Sequence, residues 1–378
     1  MKILYDHTVF EFQRYGGISR YFYELITRLS TTENMDVSLF QGFNINEYAF
    51  SKHKQNYGSY WSYKLKSKRT ILKYIIYILF SIPNKILFAI YMRSSNFDLY
   101  HPTYYMKGLR QVMKMPIVIT VYDMIHELYP DQFIDSRLVI KAKKRAIERA
   151  DIIIAISENT KNDLIKIYGV PECKTKVVYL ASSLRSSNTL ESDELKASYR
   201  ITRPYILYVG DRRAYKNFKI LIDSYRNHLS NYFDLVCFGG GKFKPNELKS
   251  SDNNIIQLHG SDDLLASLYK HAFCFVYPSL YEGFGIPPLE AMSMGCPVIA
   301  SNTSSIPEVV GDAAILFDPN SEKELVQSIQ SLYNEYTRKD LIKRGYEQEK
   351  KFSWEKMANE TLSIYKSIIS CEESDSNG

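Results

Sequence analysis

The sequence is poor in several features that would fix its class at once. Five cysteines in 378 residues (Cys173, Cys237, Cys274, Cys296 and Cys371) lie far apart and form no C-x-x-C pair. Such a count argues against zinc and against a disulfide framework, and it fits free thiols in a reducing compartment. No D-x-D pair occurs anywhere, and no short tandem repeat is present. The N-terminus "MKILYDHTVF" has one lysine and then a short strand-like run, without a signal-peptide core. A cytoplasmic location is therefore expected. No run reaches the ~20 consecutive apolar residues of a membrane-spanning helix. The run from Tyr74 to Pro83 is interrupted by Asn84 and Lys85. Charge of one sign is also scarce. The net charge of +6 is mild, compatible with nucleic acid, an anionic membrane or a phosphorylated substrate.

A sequence that is 45% hydrophobic and 24% charged is globular rather than disordered, and 378 residues exceed one ordinary core. Strand and helix patterns alternate along its length. "KILY", "DVSLF", "FDLYH", "MPIVITVYD", "ADIIIAIS" and "KTKVVYL" read as strands, several apolar at consecutive positions as in a parallel sheet covered on both faces. Helical patterns separate them. Ser157 suits an N-cap, and Gly169 a helix stop. The polar, serine-rich stretch 186–203 reads as a linker, after which "PYILYVG" restarts the alternation. The expected architecture is α/β, with two doubly wound domains facing each other across a cleft. Their boundaries are 1–185 and 204–352, followed by a terminal helix at 353–370 and a polar tail at 371–378.

Ligands of such sheets sit at the carboxyl ends of strands, so the turns there carry the chemistry. "YGGIS" places Gly16 and Gly17 before a helix, where backbone N–H groups and the helix start favour a phosphate. In "YVGDRRAYKN" a strand ends at Gly210, and Arg212, Arg213 and Lys216 follow, a basic cluster suited to a pyrophosphate. In "PSLYEGFGIPPLEAMSMGCPVIAS" the glycines 283 and 285 turn the chain before a helix. The N–H groups of Phe284, Gly285 and Ile286 are expected to face the cleft there. Glu282 precedes that helix and Glu290 lies one turn inside it, so both face a ligand held at its start. A nucleotide sugar needs this combination: N–H donors for phosphates, carboxylates for hydroxyls. "VYDMIHELYPDQF" adds His126, in a loop after a strand.

The span "LYKHAFCFVYPSLYEGFGIPPLEAMSMGCPVIASNTSSIPEVVGDAAILFDP" resembles the donor-site signature of retaining GT-B glycosyltransferases of the family-4 type, whose mark is E-x7-E, here Glu282 and Glu290. "YDHTVFEFQRYGGISRYF", "ADIIIAISENTKNDL" and "FSWEKMANETLSIY" resemble the same family, particularly its members in bacterial surface polysaccharide assembly. The similarity runs from residue 1 to about 368. It implies a GT-B fold of two Rossmann-like domains, with the last helix crossing back to the first. By position, Glu282 matches the glutamate at the donor sugar and Glu290 the one that grips the nucleotide ribose. Phe284, Gly285 and Ile286 match the backbone donors around sugar and phosphate, Gly16 and Gly17 the loop over the diphosphate, and Lys216 the phosphate lysine. Two departures stand out. Asp211 occupies the slot after Gly210 where the family has its arginine, so Arg212 or Arg213 takes that part. The family's "HD" is Tyr122-Asp123 here, and His126, three residues on, is taken as the active-site histidine.

The resemblance implies hexose transfer with retention and without a metal or other cofactor, the nucleotide-diphosphate sugar being the donor. GDP-mannose is preferred, and a lipid-linked glycan is the expected acceptor. The missing D-x-D agrees with lysine and arginine neutralising the diphosphate. A non-catalytic sugar-nucleotide scaffold and a glycoside hydrolase are the alternatives, although a hydrolase needs no basic turn. Residues 60–93, with Lys64, Lys66, Lys68, Arg69 and Lys73 beside aromatic and apolar residues, suggest peripheral contact with the cytoplasmic face of the inner membrane. No nucleic-acid partner is expected.

Overall fold

The computed structural model describes residues 1–48, 50, 62–64, 70–105, 115–185, 188–243, 247–248 and 252–376. Short β-branched and aromatic runs become strands because their side chains pack on both sides of a pleated sheet. In the N-terminal half these are β1 (Lys2–Tyr5), β2 (Asp36–Leu39), β3 (Gly42–Asn44), β4 (Ser62–Lys64), β5 (Leu99–His101), β6 (Val118–Val121), β7 (Ile152–Ala155) and β8 (Thr175–Val177). β2-β1-β5 and β6-β7-β8 are two parallel sheets, joined by a bridge between Tyr100 and Ile117. Leaving aside the separate β3-β4 pair, the order 2-1-3-4-5-6 is of the flavodoxin kind, reversing direction between β1 and β5.

The C-terminal half carries β9 (Tyr205–Val209), β10 (Asp234–Phe238), β11 (Ile255–Leu258), β12 (Cys274–Tyr277), β13 (Val298–Ser301) and β14 (Ala314–Phe317). Their parallel order is β11-β10-β9-β12-β13-β14. This is the 3-2-1-4-5-6 order of a doubly wound sheet, with its reversal between β9 and β12.

Several helix boundaries follow local chemistry. Ser157 caps the helix Glu158–Tyr168 through its side chain, which accepts from Thr160 N, and Gly169 ends it in the left-handed conformation. The segment expected as a linker holds a helix, Ser192–Tyr199. Its pattern is weak because Leu195 is its single buried residue. The segment lies on the C-terminal half: Leu190 N donates to Ser267 Oγ at 2.9 Å, and the Leu190 carbonyl contacts His271 Nε2 at 2.9 Å.

The final helix, Trp354–Ser376, crosses back. Tyr365 is fully buried in the N-terminal half, its hydroxyl 3.0 Å from that of Tyr5 and 2.5 Å from His101 Nδ1. Burial holds His101 down at about 3, so the ring is neutral and suits a hydrogen-bonded core position.

Thr70–Arg93 is one continuous helix with Pro83 inside it. Asn84 does not interrupt it. Its fully buried side chain accepts from Phe43 N at 2.8 Å, and donates to Phe43 O at 2.9 Å and to Glu11 Oε1 at 2.5 Å. A buried amide is tolerated here because it satisfies main-chain groups of β3. Lys66, Lys68 and Arg69 lie outside the described residues. Among the described residues no helix is long and apolar enough to cross a membrane.

Candidate active site

The reversal between β9 and β12 brings together two turns that are far apart in sequence. After β9, a 3-10 turn (Ala214–Lys216) carries Lys216; after β12, the chain reaches Glu282 before the helix Ile286–Ser293. Leu280 N donates to Tyr215 O at 2.8 Å and ties the turns together. Lys216 Nζ then lies 2.7 Å from Glu282 Oε1 and 3.0 Å from Oε2. Both groups are largely buried. Burial, the largest influence, lowers the ammonium, yet the Glu282 charge and hydrogen bond, with Tyr215 and Asp211, together leave Lys216 above its ordinary range. Burial, and then the Glu282 charge, push the Tyr277 hydroxyl well up.

The Glu282 turn is held by its backbone. Glu282 O accepts from Ser304 Oγ at 2.6 Å and from Ser305 Oγ at 2.9 Å; Ser305 Oγ also reaches Phe284 O at 2.9 Å. Gly285 caps the helix at φ 109°, a left-handed conformation that favours glycine. Gly283 is needed for a different reason. A methyl built on it would lie 1.7 Å from the Tyr122 carbonyl oxygen of the other half. Among the described residues the N–H groups of Phe284, Gly285 and Ile286 meet no protein acceptor, so they are available at the helix start.

Glu290 lies within that helix and, among the described residues, pairs with neither Lys216 nor Glu282. Tyr269 donates to its Oε2 at 3.2 Å. Burial pushes this carboxyl up to about 7; the Tyr269 hydrogen bond and Arg20 pull it down, and Asp262 pushes it up. Arg20 follows the Gly16–Gly17 turn, donates from Nε to the Tyr48 hydroxyl at 2.9 Å, and reaches Asp262 at 3.8 Å across the cleft. At that turn, Gln13 Oε1 accepts from Ser19 N at 3.0 Å.

The two arginines diverge. Arg212 is buried: its Nε is 3.3 Å from Glu247 Oε1, its Nη2 donates to Gly241 O at 3.0 Å, and its guanidinium lies 4.1 Å from the Phe243 ring centroid. Arg213 is half-exposed over Phe133 of the N-terminal half, 4.9 Å from its centroid, with Nε 3.5 Å from Asp211. Among the described residues neither pairs with Glu282. His126 packs on the same Phe133, ring centroids 4.5 Å apart, and burial lowers it from the ordinary imidazole range. Gly210, at φ 130°, ends β9.

Sequence reasoning missed the contacts that close the cleft. Glu308 accepts from Glu158 N at 2.9 Å and Asn159 N at 3.0 Å, capping a helix of the opposite half. Tyr281 OH donates to Asp163 at 2.6 Å and accepts from Met124 N at 3.1 Å; Thr160 Oγ1 donates to Gly283 O at 3.2 Å. An exposed-looking glutamate after "SSIP" gives no local sign of such a partner.

Comparison with known proteins matches each half of the chain to a family. The Glycosyltransferase Family 4 model matches residues 15–181, and that of Glycosyl transferases group 1 matches 191–348. The chain is 32% identical over 244 residues to O-antigen chain mannosyltransferase B of Escherichia coli, covering 61% of this chain and 64% of that one. The aligned part is thus under two thirds of the relative. Among solved structures, sucrose-phosphate synthase from Thermosynechococcus elongatus superposes with a TM-score of 0.74 at 19% identity, covering 98% of this chain and 99% of that one. Anabaena HepE in complex with UDP-glucose gives 0.67 at 17% identity, covering 97% and 100%. The chain belongs to the GT-B glycosyltransferases, with a Glycosyltransferase Family 4 domain followed by a Glycosyl transferases group 1 domain.

Proposed function

We propose that this protein transfers a hexose, with retention and without a metal, from a nucleotide-diphosphate sugar to a glycan acceptor in surface polysaccharide assembly. GDP-mannose is the preferred donor because the related Escherichia coli protein is named a mannosyltransferase. The observation that carries the reading is the Lys216–Glu282 pair at the β9/β12 reversal, beside three unpaired N–H groups. A cation, a carboxylate and a helix start within one turn suit the junction of a sugar and its diphosphate. In the reaction the bond from the anomeric carbon to phosphate oxygen breaks, and the acceptor oxygen bonds that carbon on the same face. The departing phosphate oxygen takes the acceptor proton, and Lys216 balances its charge. Glu290 holds the ribose. Arg212 and His126 are assigned supporting places around this centre, and Gly16 and Gly17 close over the diphosphate.

The acceptor is proposed to be lipid-linked and met at the membrane surface. Ile82, Ile86 and Ile90 follow one another at four-residue spacing on the helix Thr70–Arg93, each more than half exposed, with Lys85 and Arg93 beside them. An apolar ridge flanked by cations suits the boundary of an anionic leaflet. A thermal-shift panel of nucleotide sugars tests the donor. Binding to the folded state alone raises its stability, so GDP-mannose should raise Tm most. No shift with any nucleotide sugar would remove the reading.

A further inference from the structure

Ser304, in the turn after β13, has φ 57°, a left-handed conformation that is costly for any residue carrying a side chain. Its hydroxyl has a use that offsets the cost. Oγ donates to Glu282 O at 2.6 Å and accepts from Glu282 N at 3.1 Å, so it holds both main-chain groups of one residue. A third bond comes from the opposite half, where Asn159 Nδ2 donates to the same Oγ at 3.3 Å. A hydroxyl offers one donor and two acceptor positions, and all three are engaged.

The chain of bonds continues. Asn159 Nδ2 also donates to Asp163 Oδ2 at 3.1 Å, and that oxygen accepts from the Tyr281 hydroxyl at 2.6 Å. Tyr281 precedes Glu282, so the contacts close a ring: Tyr281, Asp163, Asn159, Ser304 and back to the main chain of Glu282. Asn159 and Asp163, one turn apart, share a side of the helix Glu158–Tyr168 in the N-terminal half. Glu308 pins the first turn of that helix to the C-terminal half. Among the described residues no side chain of the ring bonds the Glu282 carboxylate, which pairs with Lys216. The ring sets the backbone from which that carboxylate projects. Lys216 is fixed separately, within its own turn, where Lys216 N donates to Arg213 O at 2.9 Å.

We infer that Asn159 and Asp163 are positioning residues for Glu282, acting through the Ser304 hydroxyl, so that the opposite half of the molecule aims this carboxylate at the donor sugar. This rests on the glycosyl-transfer reading above. The arrangement separates two parts of donor binding. Contact with the sugar needs the ring, whereas contact with the diphosphate, through Lys216, does not. A carboxylate displaced by a fraction of an ångström loses most of a directed hydrogen bond, although the fold is unchanged.

The test compares, by calorimetry, the Kd of the nucleotide sugar that raises Tm most with the Kd of its nucleoside diphosphate. GDP-mannose and GDP are the expected pair, and Tm is measured for every variant. Ser304→Gly removes the hydroxyl while suiting φ 57°, so Tm should not fall. A residue that only shaped the turn would leave the ratio of the two Kd values unchanged. The inference predicts that GDP-mannose affinity falls about 10-fold while GDP affinity stays within about 2-fold. Asn159→Ala should act in the same direction. The double variant should lose no more than the larger single loss, because both changes act through one hydroxyl. Asp163→Ala should also weaken GDP-mannose selectively, and Asp163→Asn, which keeps an oxygen for Asn159 and Tyr281, should recover most of that loss. A wild-type ratio in Ser304→Gly, equal losses for GDP-mannose and GDP, or losses that multiply in the double variant overturn the inference. A wild type that binds no nucleotide sugar instead removes the reading on which the inference rests.

Discussion

The two reversal points of this molecule are built differently. At β9/β12, two short segments supply the charged pair: Gly210 to Lys216 on one side, Glu282 to Glu290 on the other. At β1/β5 no such pair of charged segments meets among the described residues; Phe12, from the short helix after β1, and Tyr104, after β5, touch edge to face with centroids 5.2 Å apart. A diphosphate needs fixed donors and a cation at set spacing, which a local motif can encode.

That contrast is sharpest at Glu282. Glu282→Gln should lower kcat by about 10²- to 10³-fold with nucleotide binding retained, because it removes charge from the reacting end. Lys216→Ala comes next. It leaves Glu282 buried without its cation and should weaken GDP binding by about 10- to 100-fold, with guanosine binding little changed. Equal losses for both ligands in calorimetry would move Lys216 away from the phosphates and dissolve the distinction between the two reversals.

Glu290 gives a pH-dependent comparison within the donor half. Its carboxyl is raised to about 7, so between its ordinary value near 4.5 and about 7 the folded state binds more protons than the unfolded one. Stability from this group therefore falls as pH rises through that window, by about 3 kcal/mol at most. Glu290→Gln removes the titration. In denaturant melts, its stability relative to wild type should increase from pH 4.5 to pH 8; a constant difference would contradict the buried, uncharged setting. The smallest effect concerns the N-terminal half. Changing Ile82, Ile86 and Ile90 together to serine should lower sedimentation with anionic vesicles several-fold, each residue contributing about 1 kcal/mol. Transfer to a soluble acceptor should not change.

How much could be read beforehand follows the same division. The strands, the cap at Ser157, the stop at Gly169 and the turn of Glu282 were legible because local chemistry decides them. The order of the strands, and hence the meeting of Lys216 with Glu282, is tertiary. The helix Ser192–Tyr199 was hidden by having one buried residue, Leu195. Asn84 read as a break in an apolar run because its partners, Phe43 and Glu11, are about 40 and 70 residues away, a separation that no local pattern reports. Arg212 and Arg213 looked alike in sequence; Phe243 with Glu247 on one side and Phe133 on the other separate them. Glu308 carries no pattern of its own.

Transfer of a sugar from a nucleotide diphosphate at the β9/β12 reversal is tested by a single incubation in EDTA of wild type with GDP-mannose and octyl α-mannopyranoside, following GDP release and the anomeric signal of the product by NMR. One GDP released per α-linked disaccharide formed, lost in Glu282→Gln, is the predicted result. Product of inverted configuration, or turnover that appears only when Mn²⁺ is added, would contradict it.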